Sequence, residues 1–188
     1  MTDAAELWIV RHGATEWSRN GRHTSTTDLP LLPDGEDEAR RLAPRLADVE
    51  FAAVFSSPRA RALRTAELAG FPEAEVDQDL AEWSYGDYEG RTGDDIRGER
   101  PGWSLWSDGA PGGETGHQVS ARLDRVVAEV EARGGRTLVF AHGHSSRALA
   151  ARWLGRPVAD GGIFHLDTAT LSQLGHEHGR RAVVRWNA

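Results

Sequence analysis

The 188-residue sequence predicts an α/β sandwich, three layers deep, with helices on both faces of a mostly parallel sheet. Two observations carry that expectation. Short apolar runs and amphipathic segments alternate in the order β, α, β, α, then α, β, α, β. Each of the three core runs also ends in polar or basic residues: Arg11-His12-Gly13, Ser56-Ser57-Pro58 and His142-Gly143-His144. In open sheets of this kind, ligands bind beyond the carboxyl ends of the strands.

The first strand is Leu7 to Val10, and Gly13 lets the backbone turn away behind Arg11-His12 without a Cβ. Residues 12–32 form a loop rich in Thr, Ser, Gly and Asp, long enough to suggest function. A helix is expected from Gly35 to Leu46, with Ala39, Leu42 and Leu46 on one face. Phe51 to Phe55 reads as the second strand. Ser57 and Pro58 then suit the start of a helix over Arg59–Ala69, which carries Arg59, Arg61 and Arg64. Glu75 to Asp79 reads as a short strand. Residues 82–116 form an irregular excursion with a short helix near Asp94–Arg97; its three tryptophans are too much apolar surface for a tether. His117–Ala132 is the clearest amphipathic helix, and Gly134-Gly135 ends it. Thr137–Ala141 is the third core strand, followed by a helix over Ser146–Leu154. Ile163–Leu166, Leu171–Leu174 and Ala182–Trp186 give a β-rich end of one 1–188 domain.

Composition narrows the function. The chain has no cysteine, which excludes disulfides, thiolate metal sites and thiol catalysis. A net charge of −7 argues against nucleic acid as partner, since backbone binding needs a broad basic surface. No apolar run reaches membrane-spanning length, so no membrane partner is expected. The acidic start, Met1 to Glu6, has no signal-peptide pattern, and a cytoplasmic protein is expected. No heptad or apolar stripe marks an oligomer interface; a homodimer is compatible with the sequence.

The rim residues specify phosphoryl chemistry. His12 is the candidate nucleophile on phosphorus, and neighbouring guanidiniums disfavour its imidazolium form. Arg11, Arg61 and His142 are the candidate donors to the phosphoryl oxygens. A leaving alkoxide needs a proton, for which Glu82 is the candidate; Trp83 and Tyr85 suggest an apolar setting that keeps it protonated. Asp87 and Glu89 are rivals by composition. His142 with His144, or His176 with His178, could instead ligate a metal. No carboxylate cluster accompanies either pair, and His176-Glu177-His178 reads as a polar turn.

Four blocks resemble the histidine phosphatase superfamily, in its phosphoglycerate mutase-like branch: Arg11 to Thr15, Ser56 to Ala66, Glu82 with Gly86 and Glu89-Gly90, and Ala141 to Gly143. The resemblance implies the mutase-like αβα fold and a phosphohistidine mechanism with neither metal nor cofactor. It assigns His12 as nucleophile, Arg11, Arg61 and His142 to the phosphate pocket, and Glu82 as proton donor. Gly113-Glu114-Thr115 also matches the family, with a structural role. Within the superfamily the stretches Thr15 to Ser18, Thr27 to Leu31, Glu82 to Gly90, Trp106 to Gly109 and Val139 to His144 most resemble the sedoheptulose-1,7-bisphosphatase type.

That implies a small phosphorylated metabolite as substrate, a sugar phosphate or bisphosphate. Its contacts would come from Thr15, Ser18, His23, Thr24, Tyr85, Gly143 and Arg147, with Arg147 reaching a distal phosphate. His23 and Ser25 stand where the type has tyrosine and glycine. A cofactor-dependent phosphoglycerate mutase, a protein phosphohistidine phosphatase and a non-catalytic phospholigand-binding relative are the alternatives. Mutases usually carry asparagine in place of Ser18 and a basic region after the glutamate; here that region is rich in Asp and Gly, which favours hydrolysis.

Overall fold

The computed structural model describes residues 4–188, so the first three residues of the acidic start lie outside it. Six strands form one sheet in the order β3-β2-β4-β1-β5-β6. They are β1 (Glu6–Arg11), β2 (Ala53–Ser56), β3 (Glu75–Val76), β4 (Arg136–Ala141), β5 (Leu171–Glu177) and β6 (Arg180–Arg185). β1, β2, β3 and β4 run parallel; β5 and β6 are antiparallel additions.

Alternation along the central strands sends side chains to two cores, as the pleat requires. Leu7, Ile9 and Val139 pack under α7 (Gly116–Arg133) and α8 (Gly143–Trp153), against Val119, Leu123, Val130, Leu149 and Trp153. Val10, Leu138 and Phe140 face the other way, onto Leu42, Leu46, Ala66 and Ala69 from α2 (Pro33–Arg40), α3 (Ala43–Leu46), α4 (Ala60–Leu68) and their flanks. These are the three layers.

Local chemistry accounts for the departures from the expected elements. The helix expected over 35–46 splits into α2 and α3, because Pro44 lacks an N–H and its ring crowds the carbonyl one turn back. The loop after β1 contains one helical turn, α1 (Glu16–Arg19), with a Thr15–Ser18 capping box. The 82–116 excursion holds α5 (Gly93–Glu99) and α6 (Leu105–Asp108), and buries Trp83, Tyr85, Tyr88 and Trp103 in the core.

Ile163–Leu166 is not a strand. Its neighbourhood is a 3-10 turn over Val158–Ile163, and the carbonyls of Gly161, Gly162 and Leu166 accept from Arg147 and Arg11 instead of a sheet partner. The polar turn sits one step later than expected: His178-Gly179, both with positive φ, joins β5 to β6, while His176 lies in β5. The Gly113-Glu114-Thr115 block is structural. Thr115 caps α7, and Glu114 accepts from Ser84 N–H at 2.9 Å and from Arg122 Nε at 2.8 Å.

Among the described residues, no helix is long and apolar enough to cross a membrane, and no cluster of three or more His, Cys, Asp or Glu is placed to hold a metal ion.

Candidate active site

Sheet register brings the three strand ends together. Arg11 pairs with Ala141, and Ser56 with Phe140, so β1, β2 and β4 stop on one edge. The ladder continues one step further: His12 N–H donates to Ala141 O at 3.0 Å and Ser57 N–H to Phe140 O at 2.9 Å. Gly13 then crosses Gly35 at the start of α2. A Cβ on either residue would collide with the other segment's backbone, so the glycine at 13 is required by close approach.

His12 is nearly buried, at 5% exposure. Its Nδ1 lies 2.8 Å from Gly13 O. A carbonyl only accepts, so Nδ1 carries the proton and Nε2 keeps the lone pair. Burial, then the charges of Arg61 and Arg11, hold this imidazole well below its ordinary pKa and outweigh the hydrogen bond to Gly13. His142 is fully buried with its ring centroid 5.2 Å from that of His12. Its Nε2 is 2.6 Å from Ser57 Oγ, and its Nδ1 has no protein partner. Burial and Arg61 push it well down as well.

The two arginines are anchored differently. Arg11 donates from Nη1 to Leu166 O, while its buried Nε is unpartnered; its guanidinium packs against Gly143, where a Cβ would stand 3.4 Å from Arg11 Cζ. Arg61, from the first turn of α4, is fully buried. It donates from Nη1 to Thr27 O at 3.1 Å and from Nη2 to Thr24 O at 3.0 Å. Arg11, Arg61 and His142, from three chain segments, are therefore gathered about the His12 imidazole.

Glu82 overturns one expectation. Its setting is polar, not apolar: Oε1 accepts the N–H groups of Trp83 at 2.9 Å and Ser145 at 2.7 Å, and Oε2 accepts that of His144 at 3.0 Å. The last two are N–H groups of the first turn of α8, which have no acceptor within the helix. The indole of Trp83 turns away and donates to Glu114 O.

A cleft of about 160 Å³ opens over these groups, lined by Arg11, His12, Ser18, His23, Thr24, Glu82, Tyr85, Gly143 and Arg147. All of these were expected from the sequence. Thr15 is the exception: it is fully buried, and its hydroxyl accepts from Ser18 N–H at 3.2 Å as the cap of α1. Arg61 and His142 sit in the wall behind the cleft surface.

Sequence reasoning missed Gly21, Arg22, Leu166 and, as a cleft residue, His144. Its position one turn-start beyond His142, on a helix opening at the site, was the available signal. His144 Nδ1 lies 2.7 Å from Tyr85 Oη, and its ring stacks on that of His23 at 5.9 Å. Arg147 lies over the Trp106 ring at 4.8 Å and donates from Nε to Gly161 O and from Nη2 to Gly162 O. Of the rival carboxylates, Asp87 lies against Gly112, and Glu89 turns both oxygens into the loop around Ser25.

This fold and this pocket are of the phosphatase class, and the chain belongs to the histidine phosphatase superfamily, branch 1, whose model matches residues 7–188. It is a phosphoric monoester hydrolase. The chain is 43% identical over 182 residues to an acid phosphatase of Mycobacterium tuberculosis, covering 95% of this chain and 90% of that protein. It is 40% identical to the sedoheptulose 1,7-bisphosphatase of Saccharomyces cerevisiae, covering 78% of this chain and 66% of the yeast enzyme. The mycobacterial relative thus matches better, and over more of the chain, than the type the motifs resembled most.

Among solved structures, an open-reading-frame product of Mycobacterium tuberculosis superposes with a TM-score of 0.92 at 40% identity, covering 97% of each chain. A mycobacterial glucosyl-3-phosphoglycerate phosphatase does so with a TM-score of 0.86 at 30% identity, covering 98% of this chain and 100% of that one.

Proposed function

We propose that the chain hydrolyses a small phosphorylated metabolite, a sugar phosphate or sugar bisphosphate, through a phosphohistidine at His12. The observation that carries this is the free lone pair on His12 Nε2, inside a cage of Arg11, Arg61 and His142. The Nε2 pair attacks phosphorus in line, and the ester P–O bond breaks. Arg11, Arg61 and His142 donate to the equatorial oxygens as charge spreads over them. The leaving oxygen takes a proton carried by Glu82. Water then attacks the phosphohistidine, the P–N bond returns its pair to Nε2, and Glu82 takes the proton of the water.

The outer cleft supports a sugar-sized leaving group. Imidazole, phenol and hydroxyl groups of His23, His144, Tyr85, Ser18 and Thr24 suit a polyol. Arg147 spends Nε and Nη2 on backbone carbonyls, and Nη1 makes no hydrogen bond among the described residues, which supports a second anionic group there. The names of the relatives agree with this class: a sedoheptulose bisphosphatase and a glucosyl-3-phosphoglycerate phosphatase. Phosphate release measured over a panel of sugar mono- and bisphosphates, with phosphoglycerate isomer exchange in parallel, tests the reading. Release from a sugar phosphate without isomer exchange is expected; exchange without release would make the chain a mutase.

A further inference from the structure

Beside the cleft stands a carboxylate for which the phosphoryl chemistry has no use. Glu89 Oε1 accepts the N–H of Ser25 at 2.8 Å and of Thr27 at 3.0 Å, and Oε2 accepts the Ser25 hydroxyl at 2.5 Å. The flanking backbones are stapled as well: Gly90 N–H donates to His23 O at 2.8 Å, and His23 N–H to Arg91 O at 2.9 Å. On its other side the same loop presents carbonyls to Arg61. Nη1 reaches Thr27 O, and Nη2 reaches Thr24 O, with Ser25 O at 3.4 Å. The nearest carboxylate to that guanidinium, Asp28, is 3.8 Å away.

Loop 24–27 is therefore polarised, its N–H groups gathered on an anion and its carbonyls on a cation. Each end reinforces the other, because the peptide dipoles between them are aligned. A fully buried guanidinium depends on such acceptors for its orientation.

We infer that Glu89 is a positioning residue for the phosphoryl pocket: it fixes loop 24–27, and the carbonyls of that loop aim Arg61. This rests on Arg61 belonging to the pocket. It also separates Glu89 from Glu82, since Glu82 lines the cleft with His12 and Glu89 does not. Ser25 strengthens the device in this chain. Its hydroxyl donates to Glu89 and accepts from Tyr85 N–H at 3.2 Å, which the glycine found there in the resembling type could not do. The Glu89 carboxyl lies below its usual range: burial opposes this, but the hydrogen bonds from Ser25 and Thr27 outweigh it.

The experiment measures orthovanadate inhibition of p-nitrophenyl phosphate hydrolysis, with thermal melts alongside, for the wild type, Glu89→Ala, Glu89→Gln and Ser25→Gly. A misplacement of Arg61 by about 1 Å corresponds to a loss of roughly 10²-fold. Glu89→Ala should weaken vanadate binding and kcat on that scale. Glu89→Gln, which keeps one acceptor oxygen, should recover part of both, and Ser25→Gly should lose several-fold. A folded Glu89→Ala protein with wild-type vanadate affinity and only a lower Tm would overturn the inference. If Glu89→Ala does not fold, Ser25→Gly decides: a several-fold loss supports the linkage, and unchanged affinity overturns it. A wild-type enzyme indifferent to vanadate would instead remove Arg61 from a phosphoryl pocket, a failure of the functional reading itself.

Discussion

The two halves of the cleft are built on different principles. One half stands on the ends of β1 and β4, where His12 is 5% exposed and His142 fully buried, between the core of Leu7, Ile9 and Val139 and that of Val10 and Phe140. Ladder hydrogen bonds run up to the backbone N–H of His12. The other half consists of residues 18–27, the 82–116 excursion and the 158–166 turn, held mainly by side-chain-to-backbone hydrogen bonds around Glu89, Arg61 and Arg147. On the proposed reading the first half holds the nucleophile in a geometry that follows from sheet register. The second supplies Glu82 and the outer cleft contacts, which change with single polar residues and leave the sheet untouched. Arg61 joins the two: its Cα is on the scaffold and its guanidinium hangs from the loop.

Substitutions should separate the halves. His12→Ala should reduce turnover by at least ~10⁴-fold, the scale for losing a covalent nucleophile, on every substrate alike. Residual activity near the wild type would remove His12 from the account. Arg147→Ala should behave oppositely and act by substrate. Losing a charge-assisted hydrogen bond costs about 1.5–3 kcal/mol, so kcat/KM on a sugar bisphosphate should fall roughly 10- to 100-fold while an aryl phosphate is nearly unaffected. Equal losses on both would place Arg147 with the chemistry and blur the division.

The strand-end half should also govern the response to acid. His12 and His142 have folded pKa values depressed well below 6.5 by burial and the arginines. Below pH 6.5 the unfolded chain then binds protons that the folded chain refuses. Their contribution to stability is full above pH 6.5 and is lost as pH falls towards the folded values, at up to about 1.4 kcal/mol per pH unit for each group. Thermal melts between pH 7.5 and 5 should show Tm dropping, and a flat profile would mean the two imidazoles take up protons as readily in the fold as in the unfolded chain. The smallest effect belongs to Thr15, whose hydroxyl caps α1. Thr15→Ala should cost about 1 kcal/mol of stability and leave KM for an aryl phosphate near the wild-type value. A large rise in KM would return Thr15 to the cleft.

The strand-end half was almost wholly legible in the sequence. Arg11-His12 and His142 follow apolar runs directly, and Arg61 lies six residues past the end of a third. The loop half was legible only as a set of positions. Glu82 was identifiable, but its cradle was not, because its donors at His144 and Ser145 are more than sixty residues away on the first turn of α8. Thr15 was misplaced, since a cap and a ligand contact call for the same hydroxyl. Glu89 was visible as a rival acid and as part of a resembling block, not as the anchor of a loop.

By itself the sequence determined the layered α/β architecture and the phosphoryl chemistry, because hydrophobic periodicity and short motifs act over a few residues. Tertiary structure alone decided which carboxylate lines the cleft with His12, which holds a loop, and where Arg147 spends its donors. Those outcomes depend on hydrogen bonds between segments far apart in the chain, and no local pattern encodes them.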